Sequence, residues 1–172
     1  MGKYFGTDGF RGEANVDLTS EHAYRIGKFI GWYYGARKGR KARVVIGKDT
    51  RLSSDMLENA MAAGLCSVGA SVVLLGVVPT PAVAYLVEKY KADAGVMISA
   101  SHNSYEYNGI KIFSGDGYKL PDAIEDRIEE IVTGGMPTDF EMPIGERVGC
   151  PQTATSARCR MRRTRCAITS IT

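Results

Sequence analysis

Ala94-Gly95-Val96-Met97-Ile98, followed at once by Ser99-Ala100-Ser101-His102-Asn103, is the stretch that decides the fold. Its first part is apolar, short and partly β-branched, which is typical of a buried strand. Small polar residues begin where such a strand ends, so we expect Ser101 in a loop at a carboxyl strand end. Open α/β sheets bind their ligands at that edge. An ordinary turn is the alternative, because Ser, His and Asn are all common in turns.

The remaining pattern predicts strands and helices in alternation. Apolar residues at helical spacing predict helices within residues 19–34, 53–68, 80–90 and 121–132, and short apolar runs predict strands at 43–47, 71–78, 93–99 and 110–113. Thr19 and Thr80 are expected to cap helices, and Asn108-Gly109 is expected to form a turn. Strand–helix–strand units of this length predict right-handed parallel crossovers. We therefore expect an α/β fold, a three-layer α/β/α domain with a mixed, mostly parallel sheet.

A charged loop follows the strand predicted at residues 43–47. It contains Asp49 and Arg51, which are close enough in sequence to form an ion pair. We interpret this pair as a brace for a site at the same sheet edge. Direct contact of either side chain with a substrate is the alternative.

Composition and charge limit the function classes. The 172 residues are 44% hydrophobic and 24% charged, as in ordinary globular domains. No apolar run approaches the roughly 18 residues of a membrane span, and the N-terminal residues lack the apolar core of a signal peptide. We therefore expect a cytoplasmic protein without a membrane partner.

Residues 149–172 differ from the body of the chain. The segment from residue 150 onward holds five arginines, no acidic residue and three of the four cysteines, and its apolar residues show no periodicity. Without it the chain carries 17 basic against 19 acidic side chains, so no nucleic-acid partner is expected. We interpret residues 1–148 as one domain and residues 149–172 as a non-homologous tail without fixed structure, as out-of-frame translation would produce.

Two motifs resemble those of one enzyme family. Ser-Ala-Ser-His-Asn at residues 99–103 with Asn-Gly-Ile-Lys at residues 108–111 closely resembles the phosphoserine loop of the α-D-phosphohexomutases, which move a phosphoryl group between two hydroxyls of a hexose. Ser104 stands where that family usually has proline, so a restraint on φ is lost but no reacting group. Phe-Gly-Thr-Asp-Gly-Phe-Arg-Gly at residues 5–12 is similar to the opening of one branch, the phosphoglucosamine mutases. Considered alone, its glycines favour a tight turn between two short strands.

The resemblance implies a role for each matching residue. Ser101 would carry the phosphoryl group, and its phosphate would be a ligand of one Mg²⁺ ion. Lys111 and Arg11 would act as proton carriers or charge clamps, and His102 would help to orient the phosphoserine. The residues implied to bind substrate or phosphate are Gly6, Thr7, Asp8, Gly9 and Asn103.

The resemblance also implies that part of the enzyme is missing. The sequence contains no Asp-x-Asp-x-Asp-Arg metal loop, no Gly-Glu-x-Ser-Gly sugar loop and no Arg-x-Ser-Gly-Thr phosphate loop, which later domains supply in the family. The implied activity is interconversion of glucosamine 6-phosphate and glucosamine 1-phosphate for cell-wall precursors. Glucosamine 1,6-bisphosphate would be the activator or intermediate, and the full-length protein could form a homodimer.

Two other functions stay open. One is phosphoglucomutase or phosphomannomutase activity, which the same serine loop would serve. The other is a non-catalytic module that binds a phosphate or a partner. Whichever hexose phosphate the full enzyme uses, this chain is expected to have no mutase activity by itself.

Overall fold

A computed structural model describes residues 5–6, 9–135, 149 and 151–153. Within these ranges the chain forms seven strands, which are β1 (Phe5–Gly6), β2 (Gly9–Glu13), β3 (Arg43–Lys48), β4 (Ser71–Val77), β5 (Ala94–Ile98), β6 (Tyr107–Ser114) and β7 (Pro151–Thr153). Its four α-helices are α1 (Ser20–Tyr34), α2 (Leu52–Ser67), α3 (Thr80–Lys89) and α4 (Asp122–Gly134). In the described part of the chain, no helix has the length and apolar character that crossing a bilayer requires.

The strands form one sheet in the order β1-β2-β6-β5-β3-β4-β7. Strands β5, β3, β4 and β7 pair in parallel, and the pairings from β1 through β2 and β6 to β5 are antiparallel. The predicted mixed α/β sheet is confirmed, with an antiparallel half that is larger than expected. The turn predicted at Asn108-Gly109 is wrong, because both residues lie in β6, opposite Gly12 and Arg11 of β2.

Both faces of the sheet are buried. Side chains alternate between the two faces along a strand. Val44 and Ile46 of β3 accordingly join the core that includes residues of α1, α2 and α4, whereas Val45 packs with Val83 and Val87 of α3. These two cores give the three-layer α/β/α arrangement expected from the sequence.

The helix caps agree with prediction at α1 and differ at α3. Thr19 Oγ1 accepts the His22 N–H at 3.3 Å, and the Thr19 N–H donates to His22 Nδ1 at the same distance. Helix α3 begins at Thr80 itself, and its N-cap is Pro79, which provides no side-chain cap. Thr80 was therefore wrongly predicted as the cap, because the extended backbone of Pro79 already sets the start of the helix.

Helices α1 and α2 cross at two glycines. A Cβ placed on Gly64 would lie 2.1 Å from the carbonyl oxygen of Tyr24, and one on Gly27 would lie 2.4 Å from that of Met61. Both distances are far below any real contact between a carbon and an oxygen atom. The two helix backbones therefore touch directly at this crossing.

Strand β7 corrects the expectation of an unstructured tail. Its residues run parallel to β4, with Val72 opposite Pro151 and Leu74 opposite Thr153. The Gly149 N–H also donates to the Cys66 carbonyl at 2.8 Å. A sheet edge offers unpaired backbone groups, and β7 satisfies those of β4. The expectation is therefore wrong for residues 151–153, whereas residues 136–148, 150 and 154–172 lie outside the described part of the chain.

Removing β7 should have a small but measurable effect on stability. A chain that stops after Gly149 should have a free energy of unfolding about 1 kcal/mol lower. It loses the hydrogen bonds between β7 and β4, and this loss is partly offset because three fewer residues have to be ordered on folding. In a domain of this size that lowers the melting temperature by roughly 2–4 °C. Circular dichroism would measure it against a chain that stops after Thr153. Equal melting temperatures for the two truncated chains would show that β7 adds no stability.

Candidate active site

Ser101 lies in the loop between β5 and β6, at the carboxyl end of β5. The Ser99 N–H donates to the Gly109 carbonyl at 2.9 Å, and the Asn103 N–H donates to the Ala100 carbonyl at 3.2 Å. Ser101 is exposed and has a φ of 59°, in the left-handed region that residues with a side chain seldom occupy. Such a conformation persists only where neighbouring groups hold it.

The guanidinium of Arg51, which lies in the loop after β3, holds the serine loop in this conformation. Its Nη2 donates to the carbonyls of Ser101 at 3.0 Å and Asn103 at 2.8 Å. Its Nη1 donates to the Tyr107 carbonyl at 2.9 Å and also to that of Ser104. One guanidinium therefore binds four carbonyl groups between the end of β5 and the start of β6.

Asp49 holds Arg51 in turn. Its Oδ2 accepts the Arg51 Nε–H at 3.0 Å, and its Oδ1 accepts the Arg51 backbone N–H at 3.1 Å and the Ser54 hydroxyl at 2.8 Å. The predicted Asp49–Arg51 ion pair is confirmed. Burial alone would raise the pKa of Asp49, but the hydrogen bonds from Arg51, Ser54 and Ser99 outweigh burial and hold that pKa below 3.8.

Arg11 and Lys111 extend from the same face of the sheet beside this loop. Arg11 is paired with Gly109, and Lys111 follows two positions later in β6, so both side chains point to one face. Arg11 Nη1 donates to Asn103 Oδ1 at 3.4 Å. A Cβ added to Gly9 would lie 3.2 Å from the Cα of Lys111 and 2.4 Å from the Ile110 carbonyl oxygen, so only glycine fits there.

The other predicted site residues are placed as follows. His102 is exposed in the loop directly after Ser101. Gly6 is paired with Gly9 in the β1–β2 ladder, so the short antiparallel strands that the glycines favour are present. Thr7 and Asp8, which were predicted to bind substrate, lie outside the described residues.

Sequence reasoning placed Asn108 in a motif but missed the contacts of its side chain. This side chain is fully buried, and its Nδ2 donates to the hydroxyls of Ser53 at 2.9 Å and Ser54 at 3.0 Å. Its Oδ1 accepts the Gly109 N–H at 2.8 Å. Asn108 thereby ties β6 to the start of α2, next to Asp49. The available signal was the amide side chain of Asn108 just before a strand rich in β-branched residues. We interpreted Asn108 and Gly109 as a turn.

A family model described as phosphoglucomutase/phosphomannomutase, alpha/beta/alpha domain I, matches residues 2–138. The chain belongs to this family. The resemblance found in the two sequence motifs is thereby confirmed.

Individual relatives agree with the family match. The chain is 55% identical to the phosphoglucosamine mutase of Ruminiclostridium cellulolyticum and 56% identical to that of Lachnoclostridium phytofermentans, each over 87% of this chain and 33% of the relative. A crystal structure of a phosphoglucomutase/phosphomannomutase family protein from Burkholderia thailandensis superimposes with a TM-score of 0.70 at 25% identity, over 93% of this chain and 34% of that one. The chain therefore spans about a third of the length of the curated relatives it matches.

Because of Asp49, the free energy of unfolding of this domain should change with pH in the acidic range. Because its folded pKa is lowered, its contribution is complete above the unfolded value near pH 4 and is lost as the pH falls through the folded value. Asp49→Asn should reduce the free energy of unfolding at pH 7 by about 2 kcal/mol and flatten the decline below about pH 4. Urea unfolding at several pH values measures both effects.

The matched control is Asp122→Asn, since the Asp122 side chain is 90% exposed. This variant loses only an exposed ion pair with Lys119, so its free energy of unfolding should stay within about 1 kcal/mol of the wild type and show the same decline below about pH 4. If Asp49→Asn also ran parallel to wild type into acid, the carboxylate of Asp49 would not be the group responsible.

Proposed function

We propose that this chain is the serine-bearing N-terminal domain of a phosphoglucosamine mutase, in which Ser101 carries the phosphoryl group. The observation that carries the proposal is the exposed Ser101 hydroxyl, presented at a strand end by a loop that Arg51 holds from behind. The phosphoglucosamine mutases that share more than half of their matched residues with this chain support the choice of substrate. Glucosamine 6-phosphate and glucosamine 1-phosphate are the proposed substrate pair.

The proposed chemistry is two balanced transfers. Phosphoserine 101 gives its phosphoryl group to the free hydroxyl of the sugar phosphate, which forms the 1,6-bisphosphate and a serine hydroxyl. The serine then takes the other phosphoryl group and restores the phosphoserine. Phosphoryl transfer depends chiefly on positioning and on neutralising charge. Arg11, which donates to the serine loop, and Lys111 on the same face are the proposed cations.

The remaining site residues have supporting roles in this proposal. His102 and Asn103 would orient the phosphoserine, and Lys111 and Arg11 would carry protons as well as neutralise charge. Gly6, Thr7, Asp8 and Gly9 would form the facing wall of the site, which is supported by the pairing of β1 with β2 and of β2 with β6.

Mg²⁺ belongs to the proposed full-length protein rather than to this chain alone. Among the described residues, no group of three or more His, Cys, Asp or Glu side chains could hold a metal ion. Mg²⁺ requires an octahedral set of oxygen ligands, so one phosphoserine does not form its site. We propose the Ser101 phosphate as one ligand and assign the others to the part of the enzyme outside this sequence.

Three broader features complete the proposal. The full-length enzyme would act in the cytoplasm on peptidoglycan precursors, and a homodimer is compatible with it. Glucosamine 1,6-bisphosphate would activate it. Phosphoglucomutase or phosphomannomutase activity is the alternative, which the family description itself names.

The test joins residues 1–149 of this chain to the rest of the Ruminiclostridium cellulolyticum relative. A coupled assay with Mg²⁺ and glucosamine 1,6-bisphosphate should show turnover of glucosamine 6-phosphate, whereas the 172-residue chain alone should show none. Preferential turnover of glucose or mannose phosphates would favour the alternative. Failure with every hexose phosphate, while the relative itself is active in the same assay, would contradict an enzymatic role for this domain.

Lys111→Ala should reduce kcat of the joined protein by roughly 10²–10³-fold, because it removes one preorganised donor from the transferring phosphoryl group. The steady-state rate at saturating substrate measures this effect. Lys89→Ala is the control, since Lys89 is an exposed lysine at the end of α3 and should change the rate less than about twofold. A loss below about tenfold for Lys111→Ala would argue against its proposed role.

A further inference from the structure

We propose that Arg51 is a positioning residue that makes the backbone of the serine loop into a cradle for a phosphate group. This inference rests on the proposed function of Ser101 and adds a binding role for main-chain N–H groups. The ligand is a phosphomonoester or inorganic phosphate.

Arg51 uses its complete set of donors on this task. A guanidinium has five N–H bonds in a fixed plane. Nη1 and Nη2 contribute four of them to the carbonyls of Ser101, Asn103, Ser104 and Tyr107, and Nε contributes the fifth to Asp49. The Arg51 side chain is 10% exposed, whereas the carbonyl groups that it binds lie in an exposed loop. A lysine has one nitrogen with three N–H bonds and cannot satisfy four separated carbonyls and a carboxylate.

The direction of the carbonyl groups fixes the direction of the neighbouring N–H groups. No cis peptide bond occurs in the described chain, and in a planar trans peptide the C=O and the following N–H point in opposite directions. Because three loop carbonyls point towards Arg51, the N–H groups of His102, Ser104 and Tyr105 point away from it. All three residues are exposed. We place the ligand on the side towards which these N–H groups point.

The N–H groups of Ser101 and Asn103 donate within the loop, to Ser99 Oγ at 3.0 Å and to the Ala100 carbonyl at 3.2 Å. The candidate donors to an anion are therefore the N–H groups of His102, Ser104 and Tyr105.

The loop carries charge of both signs. The exposed Glu106 carboxylate accepts hydrogen bonds from the side chains of Ser104 and Tyr105 and opposes an anion there, whereas the nearby guanidinium groups favour one. Arg51 lies behind the peptide dipoles with its positive charge, which is balanced by Asp49. Arg11 adds a second guanidinium at the rim through its hydrogen bond to Asn103. The loop is therefore polarised, with carbonyls on the protein side and N–H groups towards the ligand.

The first measurement is a titration of the ¹⁵N-labelled 172-residue chain with inorganic phosphate, followed by NMR at constant ionic strength. The amide signals of His102, Ser104 and Tyr105 should shift in a saturable way. Arg51→Lys keeps the charge but not the fork of donors, so the phosphate affinity at these amides should fall by about tenfold.

Arg40→Lys is the matched control. Arg40 also binds an aspartate, Asp93, through two nitrogens, but does so just before the amino end of β5, at the opposite edge of the sheet. The phosphate affinity of the Arg40→Lys variant should stay within about twofold of the wild type. Thermal unfolding of both variants would show that each is folded.

Each outcome supports or overturns the cradle. Wild-type affinity in Arg51→Lys would overturn it, because charge alone would then suffice. If Arg51→Lys does not fold, the wild-type titration decides, and the absence of shifts at the three amides would also overturn it.

Ser101→Ala keeps the amides, so it should still bind phosphate. Turnover by the joined Ser101→Ala protein would refute the proposed function alone, whereas absent amide shifts in a joined protein that is active would refute the cradle alone.

Discussion

Ser101→Ala should abolish turnover in the joined protein, with a loss on the order of 10⁴-fold or more, because it removes the atom to which the phosphoryl group is attached. The wild type should carry a phosphate on the peptide containing Ser101 after incubation with glucosamine 1,6-bisphosphate, and the variant should not. The coupled assay measures turnover, and mass spectrometry of the digested protein measures the modification.

Two neighbouring serines make this test specific. Ser104 is exposed in the same loop and contacts Arg51 only through its carbonyl, so Ser104→Ala should remain active. Ser99 is 8% exposed and its hydroxyl accepts the Ser101 N–H at 3.0 Å, which leaves it poorly placed to react. A phosphate found on Ser99 in an active Ser101→Ala protein would contradict the assignment of Ser101 as the carrier.

Gly64→Ala should be strongly destabilising. The added carbon would lie 2.1 Å from the Tyr24 carbonyl oxygen, so α1 and α2 would have to separate. Overpacking of this kind costs about 3 kcal/mol, which exceeds the gain of about 1 kcal/mol in helix propensity. The net loss of about 2 kcal/mol should lower the melting temperature by roughly 4–8 °C, as measured by calorimetry.

Gly134→Ala is the control for this prediction. Gly134 also lies in a helix, but a Cβ added there meets no atom within 4 Å. The same replacement should therefore be neutral or slightly stabilising. Equal melting temperatures for the two variants would mean that the helix crossing adapts without cost.

Sequence reasoning succeeded where the signal is local. The apolar run ending at Ile98, the Thr19 cap and the helical stripe of α2 each depend on residues within a few positions, and the structure contains all three. The Asp49–Arg51 pair was also predictable, because the two residues are only two positions apart.

Sequence reasoning failed where contacts between residues far apart in the sequence determine the structure. Asn108 and Gly109 favour a turn by themselves, but pairing with β2 holds them in a strand. The four carbonyls bound by Arg51 lie 50 to 56 positions further along the chain, and carbonyl groups leave no trace in side-chain identity. No periodicity or spacing could have assigned that contact.

The position of β6 between β2 and β5 has a consequence for synthesis on the ribosome. Strands β3, β4 and β5 are consecutive parallel neighbours and can assemble as they emerge, but β2 has no partner in the sheet other than β1 until β6 is made. At roughly 5–20 residues per second, the N-terminal hairpin waits several seconds with one edge unpaired. Arg11 therefore reaches Asn103 only after β6 has left the exit tunnel, so the contact between the N-terminal hairpin and the serine loop forms late in synthesis.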